Sequence, residues 1–128
     1  MKRAVRGDGI GAAIGPYSPA IESEDAVYCS GQLGIVPTTG LLTEGVTAQA
    51  EQALDNLGAL LRAAGLSYND VVKTTIFMVD LANFAAVNEI YARYFAEPFP
   101  ARSTIQVAAL PAGARVEIEV WAHLPIDR

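Results

Sequence analysis

The chain has 128 residues with nine basic and fourteen acidic side chains, a net charge of −5, and a sequence pI of about 4.7. Its basic residues are scattered singly, so there is no clustered footprint for a nucleic acid, and no apolar run reaches the roughly 18 to 20 residues of a membrane span. One domain over 1–128 is expected from the length, and a hydrophobic fraction of 52% points to some apolar surface being covered by another subunit.

No hydrophobic segment follows the early charges of MKRAVRGDGIG, so no secretory signal is expected. The lone Cys29 cannot form an internal disulfide. Both features point to a cytoplasmic protein.

A short strand is predicted at 2–5, followed by a glycine-rich loop. Within it, Gly7-Asp8-Gly9-Ile10-Gly11-Ala12 formally matches a dinucleotide fingerprint. The fingerprint needs a helix opening on its last glycine, and Gly15-Pro16 follows instead, so a loop is the better reading. Strands are predicted at 20–22 and 26–32 around a turn at Ser23-Glu24-Asp25, with a further turn at 37–40. From 46 to 64, Ala50, Ala53, Leu54, Leu57, Leu60, Leu61 and Ala64 recur at helical spacing, and Gly65 stops the helix.

The segment VVKTTIFMV (71–79) is dense in β-branched and aromatic residues and reads as a central strand. A second helix is predicted over 81–95, with Phe84, Val87, Ile90, Tyr91, Tyr94 and Phe95 on one face and Pro98 and Pro100 beyond its end. Strands at 102–108 and 114–122, joined by LPAGA, complete the chain. The expected architecture is α+β: a six-stranded mixed sheet with two helices on one face.

Alternation along 114–122 sets Val116, Ile118 and Val120 against Glu117, Glu119 and Trp121. In the preceding strand Arg102, Thr104 and Gln106 oppose Ile105 and Val107. With the aliphatic sets facing the helices, Arg102 and Glu117 share the second face, and Trp121 there suggests burial against another subunit.

A guanidinium beside two hydroxyls suits a carboxylate ligand, because its fork offers parallel charge-assisted donors. Glu117 is then a counter-ion or an acid/base group acting on water. On spacing alone, a simple cross-strand salt bridge between the two is favoured. His123 is the single histidine, which excludes a Ser-His-Asp or Cys-His triad and a His-rich metal site. It reads as a strand-end surface residue, and Cys29 as a buried structural thiol. The acidic pairs Glu22/Glu24 and Glu117/Glu119 read as solvated or ion-paired, while Tyr17 and Ser30 fit either loop packing or ligand contact.

IGPYSPA (14–20), SGQLGI (30–35), AEQALDNLGALLRAAG (50–65), VVKTTIFMVD (71–80), FAAVNEIYARYF (84–95) and PARSTIQVAALPAGARVEIEV (100–120) together resemble the RidA (YjgF/YER057c/UK114) family. The resemblance implies a chorismate-mutase-like fold, a homotrimer with ligand clefts between subunits, and hydrolysis of 2-imino acids to 2-keto acids and ammonia. It implies Arg102 as the carboxylate binder and Glu117 as the residue handling the attacking water. Tyr17, Ser30, Gly31 and Asn88 match pocket residues, and Thr104 supplies a backbone carbonyl to the imine nitrogen. No cofactor or metal is implied.

Ser18-Pro19, Cys29 and Gln106 depart from residues common in the family, which bears on substrate preference. Other readings are a trimeric sensor of 2-keto acids without turnover, and a chaperone-like or nuclease role. The acidic charge counts against the nuclease.

Overall fold

Six strands and two α-helices organise residues 1–125, the residues described in the computed structural model. The strands are β1 (Lys2–Ala4), β2 (Ala20–Ser23), β3 (Ala26–Leu33), β4 (Val71–Met78), β5 (Ala101–Gln106) and β6 (Val116–His123). The helices are α1 (Val46–Ala63) and α2 (Phe84–Tyr91). All six strands join one mixed sheet in the order β1-β2-β3-β6-β4-β5. β4 and β5 pair parallel, and α2 lies in the crossover that parallel neighbours need.

α1 forms because its leucines return at 3.6-residue spacing on one stripe. Leu54, Leu57, Leu60 and Leu61 are fully buried, each worth about 1.5–3 kcal/mol of transfer free energy. They pack with Val87 and Ile90 of α2 on a sheet face built from Val27, Cys29, Ile76, Met78, Val116, Ile118 and Val120. The helix stops as expected: Gly65 takes φ +79°, a left-handed conformation that a side chain disfavours.

The second helix is shorter than its periodicity suggests. Residues Leu81–Asn83 form a 3-10 turn, with the Asp80 side chain accepting from the Ala82 N–H. After Tyr91 the chain tightens, with Arg93 N–H donating to Ile90 O and Tyr94 N–H to Tyr91 O. That departure lets Tyr94 and Phe95 stack edge-on against Tyr68, at ring-centroid distances of 5.4 and 5.7 Å. Their spacing reflects an aromatic cluster rather than further helix.

The faces also differ from expectation on one strand. Parallel register sets Arg102 beside Thr74, Thr104 beside Ile76 and Gln106 beside Met78. Thr74, Ile76 and Met78 are all buried beneath the helices, so Arg102 lies on the helix side. Ile105 pairs with Phe77, which in turn pairs with Glu117, and it stands 45% exposed on the open face. β5 is the outer strand, only partly roofed by α2. Its helix-side positions therefore accept long polar side chains, and its aliphatic set points the other way.

On the open face, Tyr28 and Trp121 meet edge-to-face at 5.6 Å and remain 43% and 48% exposed. No helix among the described residues is long and apolar enough to cross a membrane.

Candidate active site

Glu117 sits mid-strand on β6, on the open face, paired with Leu33 of β3 and Phe77 of β4. The β3–β6 register slips between Cys29 and Gln32, which makes Ser30-Gly31 a β-bulge. A bulge kinks its strand and re-aims the residues beside it. Here it lays bare backbone over the acid: a Cβ placed on Gly31 would stand 2.7 Å from the Glu117 carboxyl carbon.

The Ser30 hydroxyl donates to Ser18 O at 2.7 Å, and the Ser30 N–H donates to Pro19 O at 2.8 Å. Ser30 thus ties the segment carrying Tyr17 to the bulge. The Tyr17 hydroxyl accepts from the Ile14 N–H at 3.4 Å.

A cavity of about 610 Å³ opens here, and Tyr17, Gly31 and Glu117 line it with apolar walls from Ile14, Ile35 and Ala112. Asn56 of α1 fixes one wall by donating to Leu33 O at 3.1 Å and to Ile35 O at 2.9 Å. Glu117 has no ion-pair partner among the described residues. Burial raises its pKa, and the neighbouring Glu119 charge raises it further. A carboxyl group so placed exchanges a proton closer to neutrality than an exposed glutamate does.

Arg102 belongs to a different cluster. Its Nη1 donates to Asn88 Oδ1 at 2.7 Å, and its guanidinium carbon lies 5.5 Å from the Phe84 ring centroid and 4.8 Å from that of Tyr91. No carboxylate pairs with it among the described residues. Thr104 follows two residues along the same outer strand.

The expected site residues therefore form two groups. Tyr17, Gly31 and Glu117 line the cavity, with Ser30 beside them in the bulge, and Asn88, Arg102 and Thr104 gather at the outer strand. One chain does not bring the groups together. The cross-strand Arg102–Glu117 bridge does not form, because β4 separates β5 from β6 and the two side chains lie on opposite faces.

Cys29 is buried, and burial pushes its thiol up to about 12, as suits an inert core residue. His123 ends β6 at the surface. The glycine-rich loop before Pro16 leads into no helix. Sequence reasoning missed the cavity walls and the approach of two rings to Arg102: of the residues it set on one helix face, Tyr91 is in the core as well as beside the guanidinium, and Phe84 is 38% exposed.

Comparison with known proteins gives a consistent result. The family model described as Endoribonuclease L-PSP matches residues 10–124. The chain is 56% identical over 114 residues to "Reactive Intermediate Deaminase A, chloroplastic" of Arabidopsis thaliana, covering 88% of this chain. It spans 61% of the length of that relative. It is 54% identical over 112 residues to "2-iminobutanoate/2-iminopropanoate deaminase" of Mus musculus, covering 87% of this chain and 83% of the other. The crystal structure of RidA from the Antarctic bacterium Psychrobacter sp. PAMC 21119 superposes with a TM-score of 0.92 at 47% identity, covering 95% and 99% of the two chains. The RidA resemblance and the α+β fold class are borne out.

Proposed function

The chain belongs to the family described as Endoribonuclease L-PSP, and on that basis we propose that it hydrolyses 2-imino acids such as 2-iminobutanoate and 2-iminopropanoate to 2-keto acids and ammonia. The observation that carries this reading is Glu117: a half-buried carboxyl group in a cavity, without an ion-pair partner among the described residues, its pKa raised by burial. A carboxyl group in that setting can take a proton from water and return it to nitrogen.

The active unit is a homotrimer, with each cleft formed between two copies. One copy offers Arg102 with Asn88 and Thr104, and its neighbour offers Tyr17, Ser30, Gly31 and Glu117. Two features support this. The functional groups divide into two clusters that a single chain keeps apart, and the open face exposes Tyr28, Val72, Ile105 and Trp121, apolar groups that favour cover.

In the cleft the Arg102 fork holds the substrate carboxylate through paired charge-assisted hydrogen bonds. Thr104 lies on the outer strand, where outward backbone groups lack a neighbouring strand, and its carbonyl accepts from the protonated imine N–H. Water adds to C2 as Glu117 removes its proton, giving a tetrahedral carbinolamine. Glu117 returns the proton to nitrogen and then takes the remaining hydroxyl proton as the C–N bond breaks. The ketone forms, ammonia leaves, and the last proton passes from Glu117 to ammonia or solvent. The iminium carbon is already electrophilic, so positioning and local charge suffice, and neither cofactor nor metal takes part. A single thiol, buried and unpaired, fits the reducing cytoplasm.

RNA cleavage, which the family description names, is disfavoured by the −5 net charge. The test is keto-acid formation from imines released in situ by an amino-acid oxidase. Acceleration over the uncatalysed rate is expected. Pyruvate binding without acceleration would leave a sensor instead of an enzyme.

A further inference from the structure

Phe84, Asn88 and Tyr91 recur at i, i+4 and i+7 on α2, so they form one stripe along the helix. All three meet the Arg102 guanidinium: Asn88 by a hydrogen bond at its edge, the two aromatic residues through their rings. The two rings differ in how they are held. Phe84 is 38% exposed, whereas Tyr91 is 6% exposed, and its hydroxyl is hydrogen-bonded to Thr74 Oγ1 at 2.9 Å. Thr74 is wholly buried and is the register partner of Arg102 across β4 and β5. Tyr91 is therefore anchored at its hydroxyl to the residue beside Arg102, with its ring 4.8 Å from the guanidinium carbon.

We infer that Tyr91 is a positioning residue for the substrate carboxylate: the Thr74 hydrogen bond locks its ring, and the locked ring sets the plane of the Arg102 fork. This rests on the reading of Arg102 as the carboxylate binder. An arginine side chain has many rotamers, and an outer strand restrains it weakly. A bidentate grip needs the guanidinium plane fixed before the ligand arrives, or the ligand bears the cost of ordering it. Asn88 takes up one donor and sets rotation within the plane, while the Tyr91 ring sets the plane itself. The other guanidinium donors have no protein partner among the described residues.

Tyr91→Leu removes the ring and its hydroxyl and keeps a shorter apolar group. It should raise KM for 2-iminopropanoate and the Kd for pyruvate about threefold to tenfold, the cost of ordering one rotamer-rich side chain on binding, with kcat nearly unchanged because the grip is shared by ground and transition states. The NMR resonance of the Arg102 Nε–H should lose the part of its ring-current shift that the Tyr91 ring supplies, the Phe84 ring remaining. Tyr91→Phe and Thr74→Val keep the ring but release it, and each should raise KM about threefold. A merely structural Tyr91 would lower Tm in all three variants and leave KM and Kd at wild-type values, and that result would overturn the inference. If Tyr91→Leu does not fold, wild-type KM in both milder variants overturns it equally. Arg102→Ala, measured alongside, separates the two levels. Pyruvate binding that survives Arg102→Ala removes the carboxylate reading and this inference with it. Binding lost there but unchanged in the Tyr91 and Thr74 variants removes only this inference.

Discussion

Gly31 lies so close over Glu117 that a Cβ at position 31 would stand 2.7 Å from the carboxyl carbon and 2.7 Å from Oε2. The bulge at Ser30-Gly31 and the acid on β6 form one unit, with bare backbone permitting the carboxylate to lie where it does. The obstructed atoms belong to the far end of a flexible side chain, and Gly31 has no positive φ. Gly31→Ala should therefore fold with a Tm within a few degrees of wild type, while displacing the carboxylate by about an ångström. A misplacement of that size costs about a hundredfold in rate. Circular dichroism melting and steady-state turnover check the pair of outcomes, and full activity in a folded Gly31→Ala would show that the position of the carboxylate does not matter.

Glu117→Gln is expected to lower kcat by about a hundredfold to ten-thousandfold while leaving pyruvate affinity close to wild type. If Glu117 only balanced the charge of Arg102, its neutralisation would tighten pyruvate binding and spare turnover. Calorimetry and a coupled assay on the same variant distinguish these results.

The raised Glu117 pKa also has a consequence for stability. The folded state holds this proton more tightly than the unfolded chain, so ionising Glu117 costs stability as pH rises through its folded value, above the ordinary 4.5. Glu117→Gln should melt higher than wild type at pH 7 to 8, and the difference should vanish on acidification below the ordinary glutamate range. A variant that melts lower than wild type at neutral pH would contradict the assignment. Activity should fall on the acid side with a midpoint above that of an exposed glutamate.

Arg102→Lys tests the fork. The ammonium keeps the charge but offers no planar pair of donors, so pyruvate affinity should fall about tenfold to a hundredfold, and Arg102→Ala should fall at least as far. Full activity in Arg102→Ala would return the PARST segment to a structural role.

Much of the fold was legible in the sequence because it rests on local periodicity. The leucine stripe of α1 and the alternation along β6 lie where pattern reading puts them. β5 shows where that reasoning ends. Alternation divides Arg102 and Thr104 from Ile105, but it does not say which set meets the helices, and at an outer strand under a short helix the polar set does. Tyr94 and Phe95 continue the helical spacing of α2 although the chain has already turned, since an aromatic cluster with Tyr68 satisfies the same pattern. The site was legible as a set of residue types and illegible as an arrangement. Nothing in the linear distance between Arg102 and Glu117 reveals that β4 inserts between their strands. The cavity walls Ile14, Ile35 and Ala112 come from three separate connections and share no period.

That arrangement makes subunit complementation the most direct test of a cleft built by two copies. Arg102→Ala and Glu117→Gln proteins, each inactive alone, are co-refolded at equal ratio and assayed for keto-acid formation. In a random mixed trimer about one cleft in four receives an intact Arg102 from one copy and an intact Glu117 from its neighbour. Activity should return to about a quarter of the wild-type level. If Arg102 and Glu117 of the same chain served one cleft, every cleft in the mixture would carry one lesion. Mixed trimers that assemble and stay inactive would contradict the shared cleft.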